Sequence, residues 1–323
     1  MEPVMTRKTT ESQGGNNLFG RRNFPERITV ELTNRCNLEC IFCPRHLVDM
    51  KLGNMPWALF LKIVDEAANH LPMIMPIFFR GESLTHPDLC KMIRYAKQKG
   101  IGPIQLASNG FLLDEKMGER LIESGLDFIS FSLDTIDPDV YRKTRIHSDL
   151  HIAMNNVVAF VKKCEELKSK GSKVPEIQVS SVDVVDYKES QQQFIDFWRQ
   201  YADRVRIYIE HSSDGHLGSI KALHDEKERR KPCGKVYNDM IIYWDGRVGI
   251  CNHDWDNRLD IGNVSESSIE AIWNSDKYNT IREMHESSVF ADNIVCKNCD
   301  HWKIYYSPEG FVGKAFDKIP RKE

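Results

Sequence analysis

The stretch Arg27-Ile28-Thr29-Val30-Glu31-Leu32-Thr33-Asn34-Arg35-Cys36-Asn37-Leu38-Glu39-Cys40-Ile41-Phe42-Cys43 decides how the chain is read. From Ile28 to Thr33 apolar and polar residues alternate, and the run stops at Asn34. That period of two predicts a strand feeding a loop. The loop then carries three cysteines within eight residues.

Outward from this stretch, strands and helices take turns. Pro56 to His70 has helical spacing (Trp57, Phe60, Leu61, Val64, Ala67, Ala68), with proline at its start. Ile77 to Phe79 reads as a short strand ending at Gly81. Helices are expected over Pro87–Lys99, Asp114–Ser124 and Asn155–Lys170, closed by Gly100, Gly125 and Gly171, and over Glu189–Tyr201. Strands are expected at Ile104–Ala107, Phe128–Leu133, Ile177–Val182 and Val205–Ile209. About six alternations predict an α/β fold with a parallel sheet. Six units close an incomplete barrel, a partial (βα)6 barrel, more naturally than the eight of a full one. Chemistry is then expected at the C-terminal strand ends, in the loops after Thr33, Phe79, Ala107 and Leu133.

Past Ile209 the alternation stops. Residues 211–232 are polar and charged and read as a solvated linker. Met240 to Cys251 reads as a β-hairpin turning at Asp245-Gly246, and Ser268 to Trp273 as a short helix start. The expected division is a flexible segment over 1–25, a barrel over 26–210, and a linker with a small cysteine-bearing domain over 211–323.

Composition excludes several classes. With 44 basic and 47 acidic residues among 323, the net charge of −3 offers nothing to nucleic acid. The longest mostly apolar run, Leu71 to Phe79, is far short of the roughly 18–20 residues a membrane span needs. The first 25 residues hold no signal-peptide core, so the expected location is the cytoplasm. In that reducing compartment nine cysteines suggest metal ligands rather than disulfides.

Cys36, Cys40 and Cys43 can grip three irons of a cubane cluster and leave the fourth open. An open position is the mark of a catalytic metal site. Zinc or plain structure is the alternative, although this spacing is not that of paired Cys-x2-Cys knuckles. Cys233, Cys251, Cys296 and Cys299 make a complete set of four ligands, and by spacing alone they suit tetrahedral zinc or an iron–sulfur cluster. Cys90 and Cys164 stand alone, are expected mid-helix, and read as buried small hydrophobes. The sharper role for one of them would be to donate hydrogen to a substrate radical.

Over residues 27 to about 210 the chain resembles the radical S-adenosylmethionine (SAM) superfamily, on the motif from Thr33 to Cys43. The resemblance implies SAM as cofactor, chelated by the open iron of a [4Fe-4S] cluster. It implies reductive cleavage to a deoxyadenosyl radical and a flavodoxin- or ferredoxin-type electron donor. Phe42 matches the aromatic that packs on adenine. Gly81-Glu82 resembles the family's GGE segment, with Arg80 in place of the first glycine and Ser83 where proline is common. Ser108 and Asn109 resemble contacts to the SAM ribose and carboxylate. Ser132, Asp134 and Arg145 resemble later cofactor or substrate contacts. Taken singly, Glu82 and Asn109 also read as ordinary loop polars, and Asp134 as a helix cap.

The last third resembles the SPASM/twitch auxiliary-cluster modules. Its supporting stretches are Tyr243 to Cys251 and Ile261 to Trp273. Four cysteines imply one fully ligated second [4Fe-4S] cluster, the shorter twitch form. That layout is similar to the aminocyclitol dehydrogenase of butirosin-type antibiotic biosynthesis. A capped cluster suits electron transfer, so the expected activity is radical oxidation of a small sugar- or aminocyclitol-like molecule. Alternatives are decarboxylation, dehydration or epimerisation of such a substrate, a peptide-modifying maturase, and a non-catalytic electron carrier. The short lead-in before the first strand speaks against a peptide-binding domain. The catalytic base is unassigned, with Glu210, His211, His253 and Asp254 as candidates.

Overall fold

The computed structural model describes residues 19–183, 188–209, 228–292, 294–306 and 313–319. Parallel strands β2 (Met75–Pro76), β3 (Ile104–Ser108), β4 (Phe128–Ser132), β5 (Glu176–Asp183) and β6 (Arg204–Ile209) lie side by side in chain order. Strand β1 (Arg27–Val30) joins β2 through a parallel bridge from Arg27 to Ile74. There Ile28 N–H donates to Ile74 O at 3.0 Å and Ile74 N–H to Glu26 O at 3.1 Å. The six parallel strands of the partial barrel are therefore all present.

The pleat sorts the side chains. One face carries Leu106, Ile129, Phe131, Val179, Val205 and Ile207, all buried. This face meets the crossover helices, as where Phe131 packs edge-on against Phe160 at 5.9 Å. Those helices are α1 (Trp57–Ala67), α2 (Leu89–Gln98), α3 (Glu115–Glu123), α4 (Pro138–Thr144), α5 (Leu150–Ser169) and α6 (Gln191–Trp198). Asp114 caps α3 by accepting Met117 N–H, and Gly125, at φ 83°, takes the left-handed turn after its end.

The last third adds β7 (Asp239–Ile242), β8 (Val248–Gly249), α7 (Ile269–Trp273), α8 (Asp276–Ser287) and β9 (Gly313–Asp317). The hairpin turning at Asp245-Gly246 does form, and it joins the barrel's sheet. Strand β7 pairs in parallel with β1, so the hairpin extends the barrel sheet beyond its first strand. Strand β9 pairs antiparallel with β6 at the other edge. One continuous core runs from the barrel into Trp273, Tyr278, Cys251 and Cys296.

Several expectations shift. The second strand is Met75–Pro76, not Ile77–Phe79. Ile77 N–H still reaches Gln105 O at 2.8 Å, but Phe79 then leaves the ladder to pack on Tyr243 and Trp255. Helix α5 begins five residues early, at Leu150, because Asp149 caps it by accepting His151 and Ile152 N–H. Helices α4 and α8 and strand β9 were not expected. Asp137, with Pro138 after it, was the legible start signal for α4. Cys164 lies within α5, whereas Cys90 is the second residue of α2 rather than mid-helix; both are buried. Among the described residues no helix is long and apolar enough to cross a membrane.

Candidate functional site

The loop after β1 is pinned at both ends. Thr33 Oγ1 donates to Asn54 Oδ1 at 2.7 Å and accepts Arg35 N–H at 3.0 Å. Asn34, fully buried, donates to Lys51 O and accepts Gly53 N–H, each at 2.8 Å. Between these ties sit Cys36, Cys40 and Cys43, all half-buried. Leu38 N–H lies 3.4 Å from Cys36 Sγ, and the Arg45 amide serves Cys43 in the same way. Burial pushes all three thiols above their ordinary pKa.

The loop after β2 presses directly on this one. A Cβ on Gly81 would stand 2.5 Å from both Arg35 O and Thr33 O, so only glycine fits. Glu82 N–H donates to Arg35 O at 2.8 Å. The Glu82 carboxylate is buried, accepting Leu84 N–H at 3.0 Å and Asn109 N–H at 2.8 Å. Burial raises its pKa, and these amides with the Ser108 hydroxyl offset part of the shift. Asn109 Nδ2 donates to Asn37 Oδ1 at 3.0 Å, inside the cysteine loop. Ends of β1, β2 and β3 thus meet around the three thiols.

Asp134, at φ 63° just past β4, does not cap a helix. It pairs with Arg145, whose Nε donates to Asp134 Oδ2 at 2.7 Å and whose Nη2 contacts the same oxygen. Both residues are buried. Arg145 also points Nη1 toward Cys40 Sγ at 3.8 Å and lies 5.5 Å from the Phe42 ring centroid. Burial works against its cation, yet Asp134 and Cys40 outweigh that and hold its pKa above the ordinary value. Ser132 ends β4 opposite Ser180.

The four later cysteines come from three separate stretches and are all buried. They lie close enough for electrostatic coupling: Cys296 feels Cys251, Cys299 and Cys233. Amides two residues on face three of the sulfurs. His253 N–H and His301 N–H lie 3.4 Å from Cys251 and Cys299 Sγ, and the Lys235 amide serves Cys233. Lys235 and Arg230 are the nearby cations, and Arg230 donates to Cys299 O at 2.6 Å. Burial pushes Cys233 up to about 12 and the other three upward too.

The donor chemistry at both places fits iron–sulfur clusters. Amides aimed at thiolate sulfur stabilise and tune such clusters, and a metal holds a coordinating thiol deprotonated against burial. Among the described residues no three Cys, His, Asp or Glu side chains are placed to hold a single metal ion. A cubane needs no such convergence, because its ligands sit on separate irons.

Of the candidate bases, Glu210 and His211 lie outside the described residues. His253 stacks on His301 at 4.5 Å. Asp254 accepts Ile250 N–H at 3.1 Å, and burial lifts its carboxyl to about 6. Both are engaged in folding the Cys251 loop.

Of the inner face of the sheet, sequence reading had assigned only Ser132. There Gln178 Nε2 donates to Ser130 Oγ at 2.9 Å and to Tyr208 OH at 3.2 Å. Ser132, Ser180 and Arg206 stand in register on the same face, and Arg27 Nη2 donates to Gln105 Oε1 at 2.9 Å nearby. Full eight-stranded barrels fill this space with Val, Ile and Leu; here it is polar. Period-two alternation gave the signal, but the six strands had to be aligned to show it.

Comparison with known proteins agrees with this geometry. The Radical SAM superfamily model matches residues 30–197, and the SPASM iron–sulfur cluster-binding domain matches 233–300. The chain is 27% identical over 316 residues to a tungsten-containing aldehyde ferredoxin oxidoreductase cofactor-modifying protein of Pyrococcus furiosus, covering 84% of this chain and 86% of that protein. Its fold is similar to that of BtrN in complex with AdoMet and 2-DOIA, at TM-score 0.56 and 18% identity, over 85% of this chain and 92% of that one. It is also similar to Streptococcus suis SuiB bound to precursor peptide SuiA, at TM-score 0.64 and 16% identity, over 91% and 75%. At such identities these two likenesses concern the fold.

Proposed function

This chain belongs to the radical SAM superfamily and carries a SPASM iron–sulfur domain, and from that premise we propose that it oxidises a small, hydroxyl-rich substrate held in the polar barrel. It is a radical SAM enzyme using SAM, a [4Fe-4S] cluster and auxiliary iron–sulfur chemistry. In our reading Cys36, Cys40 and Cys43 hold the first cluster, and Cys233, Cys251, Cys296 and Cys299 hold a second. When bound, SAM and these clusters supply a deoxyadenosyl radical for hydrogen abstraction and a one-electron acceptor.

The chain's own residues do the rest. Glu82, fixed by Asn109 and Leu84 amides, presents a carboxylate for the SAM ammonium, a charge-assisted hydrogen bond. Gly81 lets that loop close on the cysteines, and Ser108 and Asn109 offer polar atoms for ribose and carboxylate. Phe42 offers its ring to adenine. Asp134 holds Arg145 beside Cys40, where its cation would offset the negative charge of a thiolate-bound cluster. Ser132 continues this rim toward the substrate.

The observation carrying the substrate class is the inner face of Ser130, Ser132, Gln178, Ser180, Arg206 and Tyr208. Hydroxyl and amide groups recognise a polyol by exchanging hydrogen bonds with it, and a site so built rejects analogues lacking the hydroxyls. The test is anaerobic incubation of reduced enzyme and SAM with aminocyclitols and sugars deuterated at carbinol carbons. Deuterium in deoxyadenosine, with loss of two hydrogens from the polyol, is expected. Transfer only from a peptide substrate would overturn the polyol reading.

A second reading has support from the relative that matches along most of both chains, whose name describes a cofactor-modifying protein. On it, the hydroxyl-rich substrate is a cofactor or its precursor. The same deuterium transfer from the tungsten cofactor of such an oxidoreductase, or from its precursor, would favour it.

A further inference from the structure

Arg80 stands where the family's segment has a glycine, and it is one of the most thoroughly engaged side chains among the described residues. It is 3% exposed, and its partner Glu31, just past β1, is 0% exposed. The pair is bidentate, with Nε to Oε2 at 2.6 Å and Nη2 to Oε1 at 2.8 Å. The remaining Nη1 donates to Trp255 O at 2.6 Å, across into the cluster domain. The guanidinium also lies 4.3 Å from the Tyr243 ring centroid.

Both ends of this contact lead to cysteines. Arg80 directly precedes Gly81 and Glu82, which press on the Cys36 loop. On the other side, Tyr243 OH donates to Asp254 O, and Asp254 N–H donates to Cys251 O at 3.0 Å. The neighbouring Trp244 completes the joint. Its N–H reaches Glu31 Oε1 at 3.4 Å, and its ring occupies the space a Cβ on Gly53 would need. Gly53 is itself bonded to Asn34 in the cysteine loop.

We propose that Arg80 is a positioning residue that fixes the Cys251 loop against the SAM-facing Gly81-Glu82 loop, setting the separation of the two clusters. The proposal rests on the two-cluster reading above. Lysine cannot replace it, since a point charge lacks the planar fork needed for Glu31 and Trp255 O together. The joint holds distance and angle rather than net stability, because a buried ion pair is commonly replaced by apolar residues at little cost.

The experiment measures the distance between the two reduced clusters by pulsed dipolar EPR. Iron analysis of the unaltered protein comes first. About four irons instead of about eight would sink the two-cluster reading itself, independently of the brace. In Arg80→Met/Glu31→Gln, which leaves no buried charge and keeps an acceptor for Trp244 N–H, full iron content and a broadened or shifted distance distribution are expected. Arg80→Lys should not restore the narrow distribution. Tyr243→Phe removes just the hydroxyl bond to Asp254 O and should broaden the distribution less. It also decides the matter if the double variant fails to fold. An unaltered, narrow distribution in whichever of these variants carries full iron overturns the proposal.

Discussion

The two cysteine sets share an element and differ in enclosure. Cys36, Cys40 and Cys43 come from one half-exposed loop and supply three sulfurs beside polar groups of three strand ends. Cys233, Cys251, Cys296 and Cys299 come from three separate stretches, are each less than a tenth exposed, and supply a full four. On the proposed ligand sets, the first arrangement would leave room for a small molecule to complete the coordination, and the second would leave none. The difference teaches that loop spacing makes a site open, whereas closure requires distant segments to pack together.

The largest effect that can break this contrast is loss of a loop cysteine. Cys36→Ala, Cys40→Ala or Cys43→Ala should each reduce deoxyadenosine formation to background and lower iron from about eight to about four per chain. Cleavage surviving in any of them would mean the open site lies elsewhere. In the other set, Cys296→Ala should also lose about four irons, yet cleave SAM within about threefold of the unaltered rate, because the two sites share no ligand. Its substrate turnover should fall much further. Abolished cleavage would erase the functional distinction between the sets.

A smaller effect probes how the open loop is held. Arg145→Met leaves Asp134 buried without its partner and should lower the stability of the metal-free protein by about 3–5 kcal/mol, read from urea unfolding. Adding Asp134→Asn should recover most of that. An unchanged midpoint in the single variant would mean the pair is not buried as described. The smallest effect is one of rate. When metal-free protein is treated with iodoacetamide, Cys36, Cys40 and Cys43 should label before the four enclosed cysteines. Raised thiol pKa values reduce the reactive thiolate at any given pH, so labelling should quicken as pH rises. Cys164, pushed up to about 12 by burial, should stay unlabelled alongside the four enclosed cysteines. Simultaneous labelling of all nine would show that the enclosure is not there.

Much of the fold was legible because it rests on local regularities. Period-two runs gave five of the six barrel strands nearly in place, and Asp114 and Gly125 marked the ends of α3. Short-range spacing also singled out Cys36, Cys40 and Cys43 and the Cys296–Cys299 pair, whereas Cys233 and Cys251 were grouped with that pair by residue type alone. Where expectation missed, non-local contacts had decided. The second strand ended early because Phe79 and Arg80 are drawn to Tyr243, Trp255 and Glu31, residues far apart in the sequence. The hairpin joined β1 because an unpaired edge strand recruits whichever strand arrives.

What the sequence determined by itself was an alternating α/β chain with three thiols in an open loop and four thiols able to close a second site. Spacing, periodicity and residue chemistry act over a few residues, so a linear reading captures them. What only the tertiary structure decided was the company those groups keep: Gly81 against Arg35 O, Arg145 between Asp134 and Cys40, Arg80 between Glu31 and Trp255, and the polar inner face. Each depends on register between strands and on burial, and these energies exist only once distant segments exclude water together.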